Sequence, residues 1–272
     1  MKRGTDMKPS MRAVLILCFV FLGTTAFAGQ FGAPEPLAKK DGRVSLGIGS
    51  FYSQNEWEPK EGINVQSTKA KSYQHYIQLS ISAGTIETYF RIGGSNIKVE
   101  NAYMTGGTAN DPNIEGFKSE FKDGYNLFGT VGVKGVIDIN ENFAIGPFAQ
   151  ATLSDDYEDS TGGTIYGMPY TQNLKFKSPW EIDVGVAFQY RNREFVAYAG
   201  PFLYWGDSRV EGSYTPHEGA VAIPSWDTKY EMKDIFGGMA GLRIPILPGL
   251  NIEIEGQYTN QWSAGANISY GF

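Results

Sequence analysis

Trp262-Ser263-Ala264-Gly265-Ala266-Asn267-Ile268-Ser269-Tyr270-Gly271-Phe272 alternates with a period of two. Trp262, Ala264, Ala266, Ile268, Tyr270 and Phe272 share one side. Ser263, Gly265, Asn267, Ser269 and Gly271 share the other. Successive side chains of a strand point to opposite faces, so the stretch predicts a strand with one greasy face and one small or polar face. The pattern stops on an aromatic residue.

The same period recurs upstream. Strands are expected over 43–53, 72–83, 86–98, 124–138, 143–153, 179–190, 195–206, 230–244 and 250–259, with 262–272 as the tenth. Within 179–190, Trp180, Ile182, Val184, Val186, Phe188 and Tyr190 alternate with Glu181, Asp183, Gly185, Ala187 and Gln189. Over 195–206 the faces are hard to separate, because Tyr198, Phe202 and Tyr204 oppose Ala197, Leu203 and Trp205. Pro147 lacks a backbone donor and calls for an edge or a bulge in its strand. No stretch beyond the N-terminal region keeps a helical period.

Composition agrees. The 272 residues include 34 Gly, 16 Tyr and 5 Trp, with charged residues at 19%. Many Gly and Tyr without long apolar runs suit β structure rich in turns. The net charge of −6 argues against a nucleic-acid partner.

Residues 1–28 read as a secretory signal peptide. Lys2, Arg3, Lys8 and Arg12 precede an apolar run from Ala13 to Leu22, and Ala26-Phe27-Ala28 supplies a small-residue cleavage site. Its removal leaves 19 basic against 28 acidic residues, a charge of −9. Cys18 lies in that run, so the mature chain has no cysteine for a disulfide or thiol chemistry. Residues 29–42, with two prolines and three glycines, read as a flexible N-terminal segment before a single domain, 43–272.

The connections alternate in length. Those near 84–85, 139–142, 191–194 and 245–249 are short; those near 54–71, 99–123, 154–178 and 207–229 are long and polar. Tyr52, Tyr73, Tyr125, Trp180, Trp205, Tyr230, Tyr258 and Trp262 fall near the loop end. Phe143, Tyr190, Phe195, Tyr270 and Phe272 fall near the turn end.

With its terminal Phe272 and the alternation before it, the chain resembles the small outer-membrane β-barrel, or porin-like, proteins of Gram-negative bacteria. The resemblance covers roughly 43–272 and specifies architecture, not activity. It implies an all-β, antiparallel up-and-down transmembrane barrel, with turns periplasmic, loops extracellular and two aromatic girdles. Ten strands is the direct count. Eight or twelve are the neighbouring counts, because Thr164–Tyr166 and Leu174–Lys177 could lengthen strands or add a hairpin. The resemblance also implies that assembly machinery reads Ile268, Tyr270 and Phe272, and that outer-membrane lipid is the other partner. A secreted lipocalin-like barrel would instead turn its apolar face inward. Nothing in the sequence fixes an oligomeric state.

In a membrane barrel the polar face lines the lumen. That places Glu87, Arg91, Lys134, Glu181, Asp183, Lys233, Arg243, Glu253 and Glu255 inside. Mixed signs in a narrow bore predict an ion-pair and hydrogen-bond network that plugs it, in preference to a small polar channel. Function is thus expected to be structural or interactive, with a narrow channel for small solutes as an extension. A barrel-rim hydrolase of lipid or peptide and a general diffusion porin are the alternatives. No catalytic residue, metal site or cofactor is assigned. His75 and His217 show no protease-like or acyl-hydrolase local pattern, and the acidic run Asp155–Asp159 lacks the spacing of a calcium loop.

Overall fold

A computed structural model describes residues 30–37, 43–59, 68–102, 114–217, 219–232 and 235–272. The strands are β1 (Arg43–Pro59), β2 (Thr68–Ala83), β3 (Ile86–Val99), β4 (Ile114–Glu115), β5 (Phe121–Gly135), β6 (Ile137–Asp138) and β7 (Phe143–Ser154). They continue with β8 (Tyr157–Ile165), β9 (Met168–Arg191), β10 (Val196–Pro216), β11 (Trp226–Met232), β12 (Phe236–Leu247), β13 (Leu250–Tyr258) and β14 (Trp262–Gly271). All pairings among the described residues are antiparallel.

Ten of these strands close a ring, β1-β2-β3-β5-β7-β9-β10-β12-β13-β14 and back to β1. The seam runs from Ser45 opposite Gly271 to Tyr52 opposite Ala264. Phe272 extends it by one bond, its N–H donating to the Val44 carbonyl. The C-terminal stretch Trp262 to Phe272 is therefore the strand that shuts the barrel.

Polarity is inverted relative to a soluble barrel. Ile48, Ile77 and Ile92 are 62%, 59% and 58% exposed, whereas Glu87 and Glu255 are 0% exposed. Exposing a continuous apolar band would be ruinous in water. In hydrocarbon it is required, and edge-to-edge closure leaves no open sheet edge there.

Two expectations shift in detail. The ladder between β5 and β7 stops after Lys134 opposite Phe148 and resumes as Ile137 opposite Ile145 in β6. Pro147 lies in the gap, so the missing donor is met by an interruption in unchanged register. The expected strand 230–244 divides into β11 and β12, because β11 lies between β10 and β1 above the membrane. Tyr230 accordingly faces inward at 3% exposure and does not join the outer girdle.

The connections 154–178 and 207–229 are largely strand. β9 has 24 residues and β10 has 21, about twice the 9–11 that cross a bilayer. Their register slips between Asp207 and Arg209, near Trp180 and Trp205 at the outer interface.

Candidate functional site

Strand alternation sends one side chain in two into the bore. Glu87 and Arg91 enter from β3, Lys134 from β5, Glu181 and Asp183 from β9, Arg243 from β12, and Glu253 and Glu255 from β13. All are buried except Glu181, which is partly so. Lys233 lies outside the described residues.

These groups meet in part as ion pairs. Lys134 Nζ is 3.3 Å from Glu87 Oε1, and Arg243 is 3.3 Å from Glu253 Oε1. Arg91 donates from Nε to Gln78 at 2.7 Å, with its guanidinium 4.9 Å and 4.5 Å from the ring centres of Tyr76 and Tyr89. Gln150 links this cluster to β9, accepting from Tyr89 OH at 2.8 Å and donating to Asp183 at 2.9 Å.

Of the nine residues expected in the bore, five are acidic and four basic, and among the described eight the acids outnumber the bases five to three. Buried carboxylates without cations need other donors. The chain supplies them from residues 30–37. The N–H groups of Phe31 and Gly32 donate to the two oxygens of Glu255 at 2.9 and 2.8 Å. Ala33 N–H donates to Glu253. Glu35 and Gln189 exchange hydrogen bonds at 3.0 and 2.9 Å, and Leu37 N–H donates to Glu87 at 2.9 Å. Arg243 donates to the carbonyls of Glu35 and Ala33.

Phe31 anchors the apolar side of this plug, with ring centres 4.4 Å from Phe148 and 5.0 Å from Phe202. Pro34 packs so closely on Gly146 that a Cβ there would lie 2.2 Å from it. Gln30 through Pro36 are buried. Residues 30–37 of the expected flexible segment are instead the contents of the barrel. The missed signal was the pair Glu253 and Glu255, facing one way on one strand with too few cations to match.

Toward the loops large apolar side chains dominate the bore, with Ser53, Ser72, Gln74 and Ser95 buried among them. Trp57, Ile97, Phe121, Tyr157, Phe176 and Tyr204 are all buried there, with Phe121 and Phe176 4.7 Å apart. A cavity of about 40 Å³ lined by Asn55, Gln74, Thr152 and Glu181 interrupts the filling. It has room for only a few waters.

The rim groups are engaged locally. His217 Nε2 is 3.0 Å from the Thr171 hydroxyl, and Asp207 pairs with Lys229 at 2.7 Å. Lys175 holds Asp156 and Glu158, and Lys118 holds Asp159. His75 lies on the outward face of β2.

A charged bore, an apolar outer wall, a closed ladder, short turns at one end and strand-built loops at the other leave one architecture. The chain folds as a ten-stranded transmembrane β-barrel of the outer-membrane type. No family model matches it, and no curated protein matches it. Among solved structures, the outer membrane protease OmpT from Escherichia coli is similar at 12% identity over 88% of this chain and 100% of that one, TM-score 0.49. The translocator domain of the autotransporter NalP from Neisseria meningitidis is similar at 7% identity over 85% and 88%, TM-score 0.44. The outer membrane protein OprG from Pseudomonas aeruginosa is similar at 11% identity over 88% and 99%, TM-score 0.38. At these identities none of them bears on what this chain does.

Proposed function

We propose that this barrel is a closed outer-membrane protein of structural or interaction type, whose bore is plugged by its own residues 30–37. The observation that carries the reading is the seating of Phe31, Gly32 and Ala33 on Glu253 and Glu255. A channel for small solutes would need that segment to leave, and a diffusion porin would need a bore empty of backbone. In planar bilayers the purified full-length protein is expected to show no large, stable openings. A variant lacking residues 30–37 is expected to conduct. Stable openings in the unaltered protein would sink the plugged reading.

The same seating supports removal of residues 1–28. Gln30 is buried in mid-bore beneath the apolar half, within 3.4 Å of Tyr76 OH. An attached leader would have to share that space. Mass spectrometry of the barrel purified from a Gram-negative outer membrane is expected to find Gly29 first; an intact leader would contradict this.

Ile268, Tyr270 and Phe272 are exposed on the outer wall, and the rings of Tyr270 and Phe272 sit 5.1 Å apart. We assign them the role of assembly signal. Loss of Phe272 should lower the yield of heat-modifiable barrel in the membrane; normal insertion counts against the assignment.

A further inference from the structure

We propose that the outer wall carries a serine–histidine site, Ser50 with His75, that hydrolyses acyl esters of outer-leaflet lipid. Ser50 of β1 and His75 of β2 are directly cross-strand and face outward. Ser50 Oγ lies 2.7 Å from His75 Nδ1. The other ring nitrogen, Nε2, lies 3.1 Å from Tyr125 OH. A hydroxyl within hydrogen-bond reach of an imidazole, itself oriented by a third group, is the arrangement that activates a serine nucleophile.

Tyr125 belongs to β5, so it reaches His75 across β3. It can do so because the residue between them is Gly94, cross-strand from His75. A Cβ on Gly94 would lie 3.3 Å from Tyr125 Cδ1. The spacing is thus built by three strands, from residues 25 and 50 positions apart.

The surroundings fit a lipid ester. A shallow groove of about 540 Å³ holds Ser50 and His75 and continues over Ile48, Ile77, Ile92, Ala266 and Ile268. Its volume lies within the range of roughly 300–1,000 Å³ found for small-molecule sites. Two residues toward the loops stands the pair Tyr52 and Tyr73, with Tyr52 4.5 Å from the Trp262 ring. Such aromatics sit at headgroup level. The dyad therefore lies just on the hydrocarbon side of the outer interface, where ester carbonyls sit and acyl chains run down the apolar groove. Polar and ionisable side chains facing lipid are costly and mark function by default.

In the step, Ser50 Oγ attacks the ester carbonyl carbon and its proton passes to His75 Nδ1. The carbon–oxygen bond to the alcohol breaks, and the imidazolium returns the proton to that oxygen. This leaves the acyl group esterified to Ser50. An interfacial water, deprotonated by His75, then attacks the acyl carbon and the proton goes back to Ser50. Ester and water become carboxylic acid and alcohol. Tyr125 is a positioning residue that acts through His75.

The test uses the full-length barrel in vesicles of phosphatidylethanolamine and, separately, of lipopolysaccharide, with released fatty acid read by mass spectrometry. Release from one arm names the lipid source. An alkyl fluorophosphonate is expected to modify Ser50 and abolish release. Ser50→Ala and His75→Ala should each lower release at least ~100-fold, with heat-modifiable migration unchanged. Tyr125→Phe should lower kcat and move its pH profile while KM holds. Release from neither lipid, or release that survives Ser50→Ala or stoichiometric labelling of Ser50, overturns the proposal. If a variant fails to fold, the labelled native protein decides.

Discussion

Toward its turns the bore is lined by Glu87, Lys134, Arg243, Glu253 and Glu255 and occupied by the main chain of residues 30–37. Toward its loops it is lined by Trp57, Phe121, Phe176 and Tyr204, and among the described residues it is filled by side chains of the wall. The two halves solve one problem differently. Interior charges carry a desolvation cost that only directed hydrogen bonds offset, so the polar half needs a partner of matching geometry. The apolar half needs only volume. Disturbing the first should open the bore as well as weaken the fold. Disturbing the second should weaken the fold and leave the bore shut.

The largest effect is expected from Glu255→Ala. It removes the acceptor for Phe31 N–H, Gly32 N–H and the Tyr198 hydroxyl at once. Stranding buried donors puts the loss at about 3–5 kcal/mol, read as a lower urea midpoint in detergent micelles, together with new conductance. A destabilised but still silent variant would erase the distinction between the halves. Phe121→Leu, in the apolar half, is expected to cost about 1–2 kcal/mol and to leave conductance at the native level; openings in this variant would show that the loop half also gates.

The smallest effect lies outside the membrane. The hydrogen bond from Lys175, helped by the Ser178 N–H, holds the Asp156 carboxyl below its ordinary value. A depressed carboxyl contributes stability above its unfolded value, near pH 4, and loses it as pH falls through the folded one. Hydrogen exchange in 154–178 should therefore quicken below about pH 4 while the membrane strands stay protected. Equal protection at pH 5 and pH 3 would remove Asp156 from the account.

Much of this molecule is legible from its residues because lipid and bore impose opposite demands on alternate positions. Where the demands converge, legibility fails. Tyr198, Phe202 and Tyr204 face inward at 3%, 3% and 2% exposure, yet Trp205 and Leu203 face lipid, so both sides of β10 look apolar. The inward aromatics there meet Phe31 and the apolar half, which no local pattern announces. The plug itself has no period, since its backbone is satisfied by side chains 50 to 224 positions away. Ser50, His75 and Tyr125 share no motif for a similar reason. Only the register of β1, β2, β3 and β5 brings them together.

The course of the plug has a further consequence for the order of folding. The chain descends inside the bore from Gln30 to Leu37 and re-ascends in the wall as β1. Its holdfasts, Arg243, Glu253 and Glu255, sit on β12 and β13, near the far end of the sequence. Contacts of such span form late, because loop-closure entropy must be overcome first. Residues 30–37 thus wait for the closing strands of the wall, and seating them acts as a clasp that fastens only once the wall is complete.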